Sequence, residues 1–275
     1  MSDTTFSLFH TDNQKLLVYD FKGNLINQYN TKPKEQDKRE MIILYGQKPL
    51  IYNDGLFLPT LLSFNNGKGS IDSTYEQYAG YYLTYSDTAN QLEQETKFKY
   101  PPHYYKGKVY NDAIYHFAKG DNESIVFSFE KSDSIFIYDF KGNKRAEFMG
   151  SSISHHFNPY DPNSNLAQTK KYFEEEPAYY FISYDPYRKV YIRSYTDRLI
   201  VNKDMMKKPS RKSSYIILNK DFKLLGEYLI DWDKDSPTIG NEIFTEEGIW
   251  NLRINRSEED NHYKIKLLCY QYQFE

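Results

Sequence analysis

The sequence has a single cysteine, Cys269, among its 275 residues, and this scarcity excludes an intrachain disulfide. No apolar run reaches the roughly 18 residues that a membrane-spanning helix needs. The first ten residues, MSDTTFSLFH, lack the basic and apolar parts of a secretory signal. Lys and Arg number 35 against 38 Asp and Glu, so no excess of base predicts a nucleic-acid surface. We therefore expect a soluble chain held by packing and hydrogen bonds, with Cys269 as a buried, unreactive thiol on a C-terminal strand.

Signatures of catalysis and of cofactor binding are also missing. The sequence contains no GxSxG, HExxH, GxGxxG or GxxxxGK[ST]. One cysteine and scattered histidines do not predict a zinc site. A Ser/His/Asp triad stays open, because its members need not be close in sequence. The sequence therefore names no reaction, and we expect no cofactor apart from the calcium considered below.

Tyrosine and phenylalanine are abundant, with 28 and 18 residues, and both favour half-buried positions on pleated sheets. A repeat organises them. The letters YDFKGN occur at 19–24 and again at 138–143, each after an apolar strand pattern. A weaker copy spans 215–225, in which we align Asp221 with Asp139, and a degenerate copy spans 82–92. Each copy predicts a strand, a tight turn and a returning strand.

These hairpins predict an all-β fold, specifically a β-propeller of about five visible four-stranded blades in a single domain, residues 1–275. Propeller repeats run about 40–50 residues per blade, and the hairpins are spaced widely enough for blades with inserted loops. Either the two chain ends complete one blade together, or the chain is part of a six-bladed propeller. Residues 150–175 interrupt the rhythm, and we expect a long polar loop there.

The YDFKGN hairpins, together with the segment Phe181–Arg193, resemble a group of bacterial envelope proteins that is catalogued only as a domain of unknown function. That group is similar to TolB-like six-bladed propellers. Its members typically carry an N-terminal lipoprotein signal and a sixth blade. The resemblance implies a propeller fold and a location in the periplasm or at the cell surface, but no particular chemistry.

Two sets of residues are candidates for a site. In a strand over 187–193, Tyr187, Tyr191 and Arg193 share one face, and if the strand faces the central channel or its mouth, that face could hold an anionic or sugar-like ligand. The alternative is an ordinary contact between blades. His116 and Tyr104, the latter in a Tyr- and Pro-rich connection, join this ligand-binding set. The second set has the spacing of a calcium loop without its glycine: Asp231, Asp233, Asp235 and Glu242. An acidic loop between blades is the alternative.

Three function classes remain open at this point. The first is a non-catalytic binding module for a protein, peptide or glycan. The second is a propeller hydrolase or lyase acting on polysaccharide, which needs convergent carboxylates or histidines. The third is a structural component of the envelope. We favour binding, because aromatic residues stand out and no acid/base pair does.

Overall fold

The structure is a computed structural model of the whole chain. It describes residues 5–10, 15–30, 40–41, 50–52, 55–59, 61–62, 78–85, 92–101, 115–120, 124–154, 156–158, 164–199, 211–230, 243–256 and 263–271. By their contacts these residues form two compact units. The first unit holds the strands up to residue 99 together with Tyr138–Asn143, and the second holds the remainder.

The first unit is built from antiparallel strands. They are β1 (Thr5–His10), β2 (Lys15–Asp20), β3 (Leu25–Asn30), β4 (Glu40–Met41), β5 (Leu50–Tyr52), β6 (Gly55–Pro59), β7 (Leu61–Leu62), β8 (Tyr78–Tyr85) and β9 (Leu92–Lys99). They pair as a three-stranded sheet β1-β2-β3, a four-stranded sheet β5-β6-β8-β9 and a short pair β4-β7.

The described residues from 115 onward form eleven strands and one helix. They are β10 (Tyr115–Lys119), β11 (Ser124–Phe129), β12 (Ser134–Asp139), β13 (Lys144–Phe148), α1 (Leu166–Glu175), β14 (Ala178–Asp185), β15 (Val190–Thr196), β16 (Ser213–Asn219), β17 (Leu224–Ile230), β18 (Ile243–Phe244), β19 (Ile249–Arg256) and β20 (Tyr263–Tyr270). The sheets are β10-β11-β12-β13, β14-β15-β16-β17 and β18-β19-β20. The all-β prediction and its four-stranded antiparallel repeat are therefore confirmed, whereas the number of blades and their closure stay predictions.

The YDFKGN turns are held by the side chain of an aspartate, which accepts backbone amide protons of the turn. In the first turn, Asp20 Oδ1 accepts the amide protons of Lys22 at 2.9 Å and Asn24 at 2.8 Å. The Asn24 side-chain amide donates to Asp20 Oδ2 at 2.8 Å. Gly23 has a φ of 86°, the left-handed conformation that glycine adopts without a Cβ penalty. The turn is followed by a shift in register between β2 and β3, as expected for a hairpin with a bulge.

The second YDFKGN turn has the same bonds. Asp139 Oδ1 accepts the amide protons of Lys141 and Asn143, both at 2.9 Å. The Asn143 side chain donates to Asp139 Oδ2 at 2.7 Å, and Gly142 has a φ of 84°. Identical letters therefore give identical local geometry, because every bond lies within five residues.

The third copy is aligned differently from our expectation. Asn219, not Asp221, occupies the position of the aspartate, since its Oδ1 accepts the amide protons of Asp221 and Lys223 at 2.9 Å. Phe222 occupies the glycine position, with a φ of 61°. A non-glycine residue in this conformation is strained, and its ring is buried, stacking on Tyr191 at a centroid distance of 4.7 Å. The Asp–Phe–Lys letters suggested an alignment two residues away from the one that the hydrogen bonds define.

The sheet β14-β15-β16-β17 packs on both of its faces. On β15, Val190 and Ile192 belong to a core cluster that includes Ile249 of β19. The alternate residue, Arg193, contacts Ser128 of β11. Because successive residues of a strand point to opposite faces, one face of this sheet contacts β19 and the other contacts β11.

The region expected as a long polar loop, 150–175, contains the helix α1. Its N-cap is Asn165, whose side chain accepts the amide proton of Gln168 at 3.0 Å, while the Gln168 side chain accepts the amide proton of Asn165 at 2.9 Å. This reciprocal pair is a capping box. The expectation of a loop was wrong because the capping pair, Asn165 with Gln168 three residues later, was not recognised in the sequence.

Cys269 also differs from the expectation. It lies on β20, at the edge of the sheet β18-β19-β20, and it is exposed. Successive residues of an edge strand point to opposite faces. The apolar neighbours of Cys269 in sequence therefore do not determine whether its side chain is buried.

Candidate functional site

The turn between β14 and β15 displays Tyr187 on a rigid backbone. Asp185, whose side chain is fully buried, accepts the amide protons of Tyr187 at 2.9 Å and Arg188 at 3.2 Å through Oδ1. Its other oxygen, Oδ2, accepts a proton from Arg188 Nη1 at 2.9 Å. The buried carboxylate therefore fixes both the backbone of the turn and the guanidinium that follows the tyrosine.

Arg188 ties this turn to a second one. Its Nη1 donates to the carbonyl of Thr245 and its Nη2 to the carbonyl of Glu246, each at 3.0 Å. These carbonyls belong to the connection between β18 and β19, which is closed by a bond from the Thr245 amide to the carbonyl of Gly248 at 2.9 Å. We call the two connections, residues 186–189 and 245–248, the clamped turns.

Exposed side chains of the clamped turns are chemically mixed. The Tyr187 residue is 52% exposed, and it is the aromatic group of this surface. Pro186, Lys189, Glu246 and Glu247 are exposed as well. A fixed ring beside carboxylates and an ammonium group can stack on a ligand and bond its polar groups without first being ordered.

Tyr191 does not share this surface with Tyr187. The strand begins at Val190, so residues 186–189 are turn and strand alternation does not relate the two tyrosines. Tyr191 is 1% exposed, because the ring of Phe222 covers it. On its other side it contacts the ring of Tyr184 at a centroid distance of 4.8 Å.

Arg193 is fully buried, and its donors are directed at protein atoms. Its Nε donates to Ser128 Oγ at 2.8 Å, and its Nη1 donates to the carbonyl of Met149 at 3.0 Å. Its Nη2 donates to the carbonyls of Ser132 at 2.6 Å and Phe129 at 3.2 Å. An ordinary contact between sheets describes this geometry, and the acceptors of Arg193 are backbone carbonyls and a hydroxyl.

A network of hydroxyls adjoins the arginine. The Arg193 Cζ lies 3.6 Å from the centroid of the Tyr179 ring, and the Tyr179 hydroxyl donates to Asp133 Oδ1 at 2.6 Å. Burial raises the pKa of Tyr179 above its ordinary value. The same hydroxyl oxygen accepts the amide proton of Ser151 at 2.9 Å, and Ser151 Oγ donates to a carboxylate oxygen of Glu227. We call this set, with Arg193, the intersheet network.

His116 lies beside the intersheet network. It is opposite Ser128 in the pairing of β10 with β11, and Ser128 is the residue that Arg193 contacts. Burial, with a smaller contribution from the positive charge of Arg193, lowers the pKa of His116 to about 4. Tyr187 and this histidine are thus placed in different settings, one on an exposed turn and one in the packed sheet. A ligand-binding role for Tyr187, Tyr191, Arg193 and His116 stays a prediction.

The other candidates, Tyr104 and the calcium set Asp231, Asp233, Asp235 and Glu242, lie outside the described residues. Within the ranges given above, no three His, Cys, Asp or Glu side chains are grouped as a metal site requires. No helix in that part of the chain is both long and apolar enough to span a bilayer.

Sequence reasoning missed the residues that fix the turn, Asp185 and Arg188. A usable signal was present, since an aspartate before a proline predicts a turn in which its carboxylate bonds the amides two and three residues later. An arginine at the third position is then within reach of the same carboxylate. The local sequence gave no signal that Arg188 would bond the carbonyls of residues 245 and 246. It gave none that Glu227 would accept a proton from Ser151 either.

Comparisons with known proteins address the fold more than the chemistry. A crystal structure of a DUF4221 family member from Bacteroides vulgatus has a TM-score of 0.70 and 16% identity, covering 97% of this chain and 76% of that one. A streptogramin B lyase structure has a TM-score of 0.38 and 12% identity, covering 99% and 82%. Hsv2 from Kluyveromyces lactis has a TM-score of 0.38 and 8% identity, covering 98% and 83%.

The sequence comparisons point to one family. No curated protein matches the sequence. A family model does match residues 2–229, and its description is a domain of unknown function, DUF4221. The B. vulgatus crystal structure carries the same family name and has the same fold. This chain belongs to the DUF4221 family.

Proposed function

We propose that the protein is a non-catalytic binding module with a propeller architecture, and that the clamped turns are its ligand-facing surface. One observation carries the proposal: Tyr187 is exposed on a turn whose backbone is held by the buried Asp185 carboxylate. The next residue of that turn, Arg188, bonds a second turn. Because the turn is already ordered, a ligand that stacks on the ring would not have to order it on binding.

The propeller part of the proposal is supported by the packing of the second unit. The sheet β14-β15-β16-β17 has Arg193 and Tyr179 on one face, against Ser128 and Asp133, and the core cluster around Ile192 on the other. Four-stranded antiparallel sheets packed face to face are the arrangement of propeller blades.

A binding role is favoured over catalysis because the buried ionisable groups bond the backbone and side chains of the protein itself. In the described part of the second unit, Arg193 bonds carbonyls and a hydroxyl, and Asp185 bonds the turn that follows it. These groups hold strands and turns at fixed distances, which is a structural task.

We propose a glycan as the ligand. An exposed tyrosine ring can stack on the apolar face of a sugar, and the exposed Glu246 and Glu247 carboxylates can accept protons from its hydroxyl groups. An extended peptide is the other ligand considered for this surface. We further propose that the module works in the periplasm or at the cell surface, and the support is the resemblance of the YDFKGN hairpins to envelope proteins.

The test is a glycan array and a peptide array probed with the wild-type chain, followed by titration of the best binder. Tyr187→Ala should weaken binding about tenfold, which corresponds to about 1.4 kcal/mol, and Tyr187→Phe should retain most of it. Phe21→Ala is the matched control, since Phe21 is an exposed ring on another turn. Equal binding by wild type and Tyr187→Ala would contradict the site. An array signal from peptides alone would contradict the glycan.

A further inference from the structure

Two residues other than glycine adopt a left-handed backbone in the described part of the chain, and both lie in turns at the same end of one sheet. Lys189, with a φ of 54°, ends the turn between β14 and β15. Phe222, with a φ of 61°, belongs to the turn between β16 and β17. A side chain that has a Cβ is strained in this conformation, so each residue requires an explanation.

Packing explains the phenylalanine but not the lysine. The ring of Phe222 is buried against Tyr191. Lys189 is exposed, so burial of its side chain does not offset the strain. Glycine or asparagine would form the same turn with less strain. Strained residues that the fold does not require are concentrated at functional sites, and Lys189 is two residues away from the exposed ring of Tyr187.

A second lysine lies beside Lys189. On β15 and β16, Val190 is paired with Asn219. Lys189 precedes the first of these residues and Lys220 follows the second, so the two lysines occupy the next positions beyond the pair. Both are exposed, as is Lys223 at the end of the turn that holds Lys220. Like charges on neighbouring strands repel each other, so this end of the sheet gathers positive charge against its own stability.

The other two hairpins of the repeat do not carry this charge. The YDFKGN turns have phenylalanine at the place of Lys220 and asparagine at the place of Lys223. Their lysine is at the place of Asp221, so one aspartate and one lysine balance. The third turn has two lysines and one aspartate, and it lies beside the clamped turn 186–189. Among these three hairpins, the excess of positive charge therefore occurs next to Tyr187.

The turn that carries Tyr187 thus has a basic neighbour and an acidic one. Arg188 bonds the turn 245–248, whose two glutamates are exposed. Arg188 itself adds no uncompensated charge, because the buried Asp185 carboxylate lies 2.9 Å from its Nη1. The positive charge that is available to a ligand comes instead from the three exposed lysines.

We propose that the clamped turns select glycans that carry an anionic group, and that Lys189 and Lys220 bind that group. This inference rests on the proposed function and names the class of glycan that stacks on Tyr187. A lysine ammonium is a point charge with three donors, so a carboxylate and a sulfate fit it equally well. The hydroxyl groups of the sugar are left to the glutamates of the turn 245–248.

The proposal gives both unfavourable features a role. An anionic group beside the two ammonium groups is attracted by each of them, so their mutual repulsion is compensated when the ligand binds. The strained backbone keeps a lysine, rather than a glycine, next to Tyr187, so that the ring and the charge contact one ligand. Because these groups are exposed to water, we expect each lysine to strengthen binding about twofold to fivefold.

The first test compares matched ligands on the wild-type chain. Trigalacturonate and its methyl ester differ in charge and little in shape, and a sulfated galactose trisaccharide with its neutral parent repeats the comparison for sulfate. Titration calorimetry should show about tenfold tighter binding of each anion than of its neutral partner. The difference should shrink as sodium chloride rises from about 20 mM to about 500 mM, because salt screens exposed charges.

The second test uses variants of the lysines. Lys189→Asn should raise the melting temperature, because asparagine tolerates the left-handed backbone, and should weaken binding of the anionic trisaccharides about threefold. Lys189→Asn combined with Lys220→Gln should weaken it about tenfold and leave binding of the neutral partners unchanged. Lys22→Gln is the matched control, since Lys22 is exposed on another turn of the repeat, and it should bind as wild type does. Far-UV circular dichroism verifies that each variant is folded.

The outcomes separate this inference from the proposed function. Equal binding of charged and neutral trisaccharides by wild type, with Tyr187→Ala weakening both, would overturn the charge selection and keep the proposed function. Unchanged affinity in the folded double variant would overturn the role of the two lysines. A lower melting temperature of Lys189→Asn would assign this lysine to the fold and overturn its role in binding. Failure of every glycan to bind would overturn the inference together with the proposed function.

Discussion

The YDFKGN turns and the intersheet network are both polar, yet they are built on different length scales. The turn at Asp139 closes through bonds to Lys141 and Asn143, within five residues. The network joins Arg193 to Ser128 and Met149, which are 65 and 44 residues away in sequence. The turn is half exposed to water, whereas the guanidinium is fully buried.

This difference teaches where polar groups matter most for stability. A turn bond replaces a bond to water, so its net contribution is about 1 kcal/mol. A buried donor or acceptor has no water to return to, and removing its partner costs the full desolvation of the group that is left. The intersheet network should therefore be the more sensitive of the two regions to substitution.

The largest effect is expected at Arg193. Arg193→Met leaves Ser128 Oγ and the carbonyls of Met149 and Ser132 buried without their donor, and it should lower the free energy of unfolding by about 3–5 kcal/mol. Urea denaturation followed by circular dichroism measures the loss. Arg145→Met is the control, since Arg145 is exposed, and it should cost less than about 1 kcal/mol. Similar losses in the two variants would show that burial does not separate the regions as we argue.

A smaller effect is expected from the protonation of His116. Its pKa in the folded state, about 4, lies below the ordinary value of 6.5, so the unfolded chain binds this proton first as pH falls. The stabilisation is therefore complete above pH 6.5 and is lost between that pH and about 4. Between pH 7 and pH 5 the full shift corresponds to a loss of about 2 kcal/mol, and because the residue is partly exposed we expect about 1 kcal/mol.

The control for this effect is His116→Gln, which cannot titrate. Urea denaturation at several pH values should show a shallower dependence on pH in the variant than in wild type. Glu227, whose pKa is lowered, affects stability at the acid end of the window and is present in both chains. A wild-type dependence equal to that of the variant would contradict a neutral, buried histidine.

The smallest effect is expected in the turns. Asp139→Ala removes the acceptor of two backbone amides and should cost about 1 kcal/mol. Asp139→Asn should cost much less, because Asn219 makes the same two backbone contacts in the third turn at 2.9 Å. Thermal unfolding of the two variants side by side measures the difference. A loss in Asp139→Asn as large as in Asp139→Ala would show that the turn also requires the second carboxylate oxygen, which accepts a proton from the Asn143 side chain.

The repeated hairpins could be predicted from sequence because their causes are local. Identical letters supply an acceptor at Asp20 and Asp139 and a glycine at the left-handed position, and the structure has both. The third copy was aligned two residues away because Phe222, not glycine, adopts the positive φ. Letter matching could not anticipate that packing on Tyr191 would hold a phenylalanine in a strained conformation.

The candidate site was predicted only in part. Tyr187 was named, and it is the exposed ring of the clamped turns, but its expected strand neighbours Tyr191 and Arg193 lie in the interior. The strand pattern was extended three residues too far, over a turn that begins at Pro186. Arg188, which bonds carbonyls 57 and 58 residues away, had no partner that the sequence could indicate.

The sequence by itself determined the all-β class, the antiparallel hairpins and the chemistry of their turns, because these depend on residues within a few positions of one another. Only the tertiary structure decided that Arg193 is buried, that Cys269 is exposed and that β17 presents apolar side chains on both faces. The physical reason is that burial depends on which distant strand packs against a face, and the period of a strand gives the two faces without saying what covers either one.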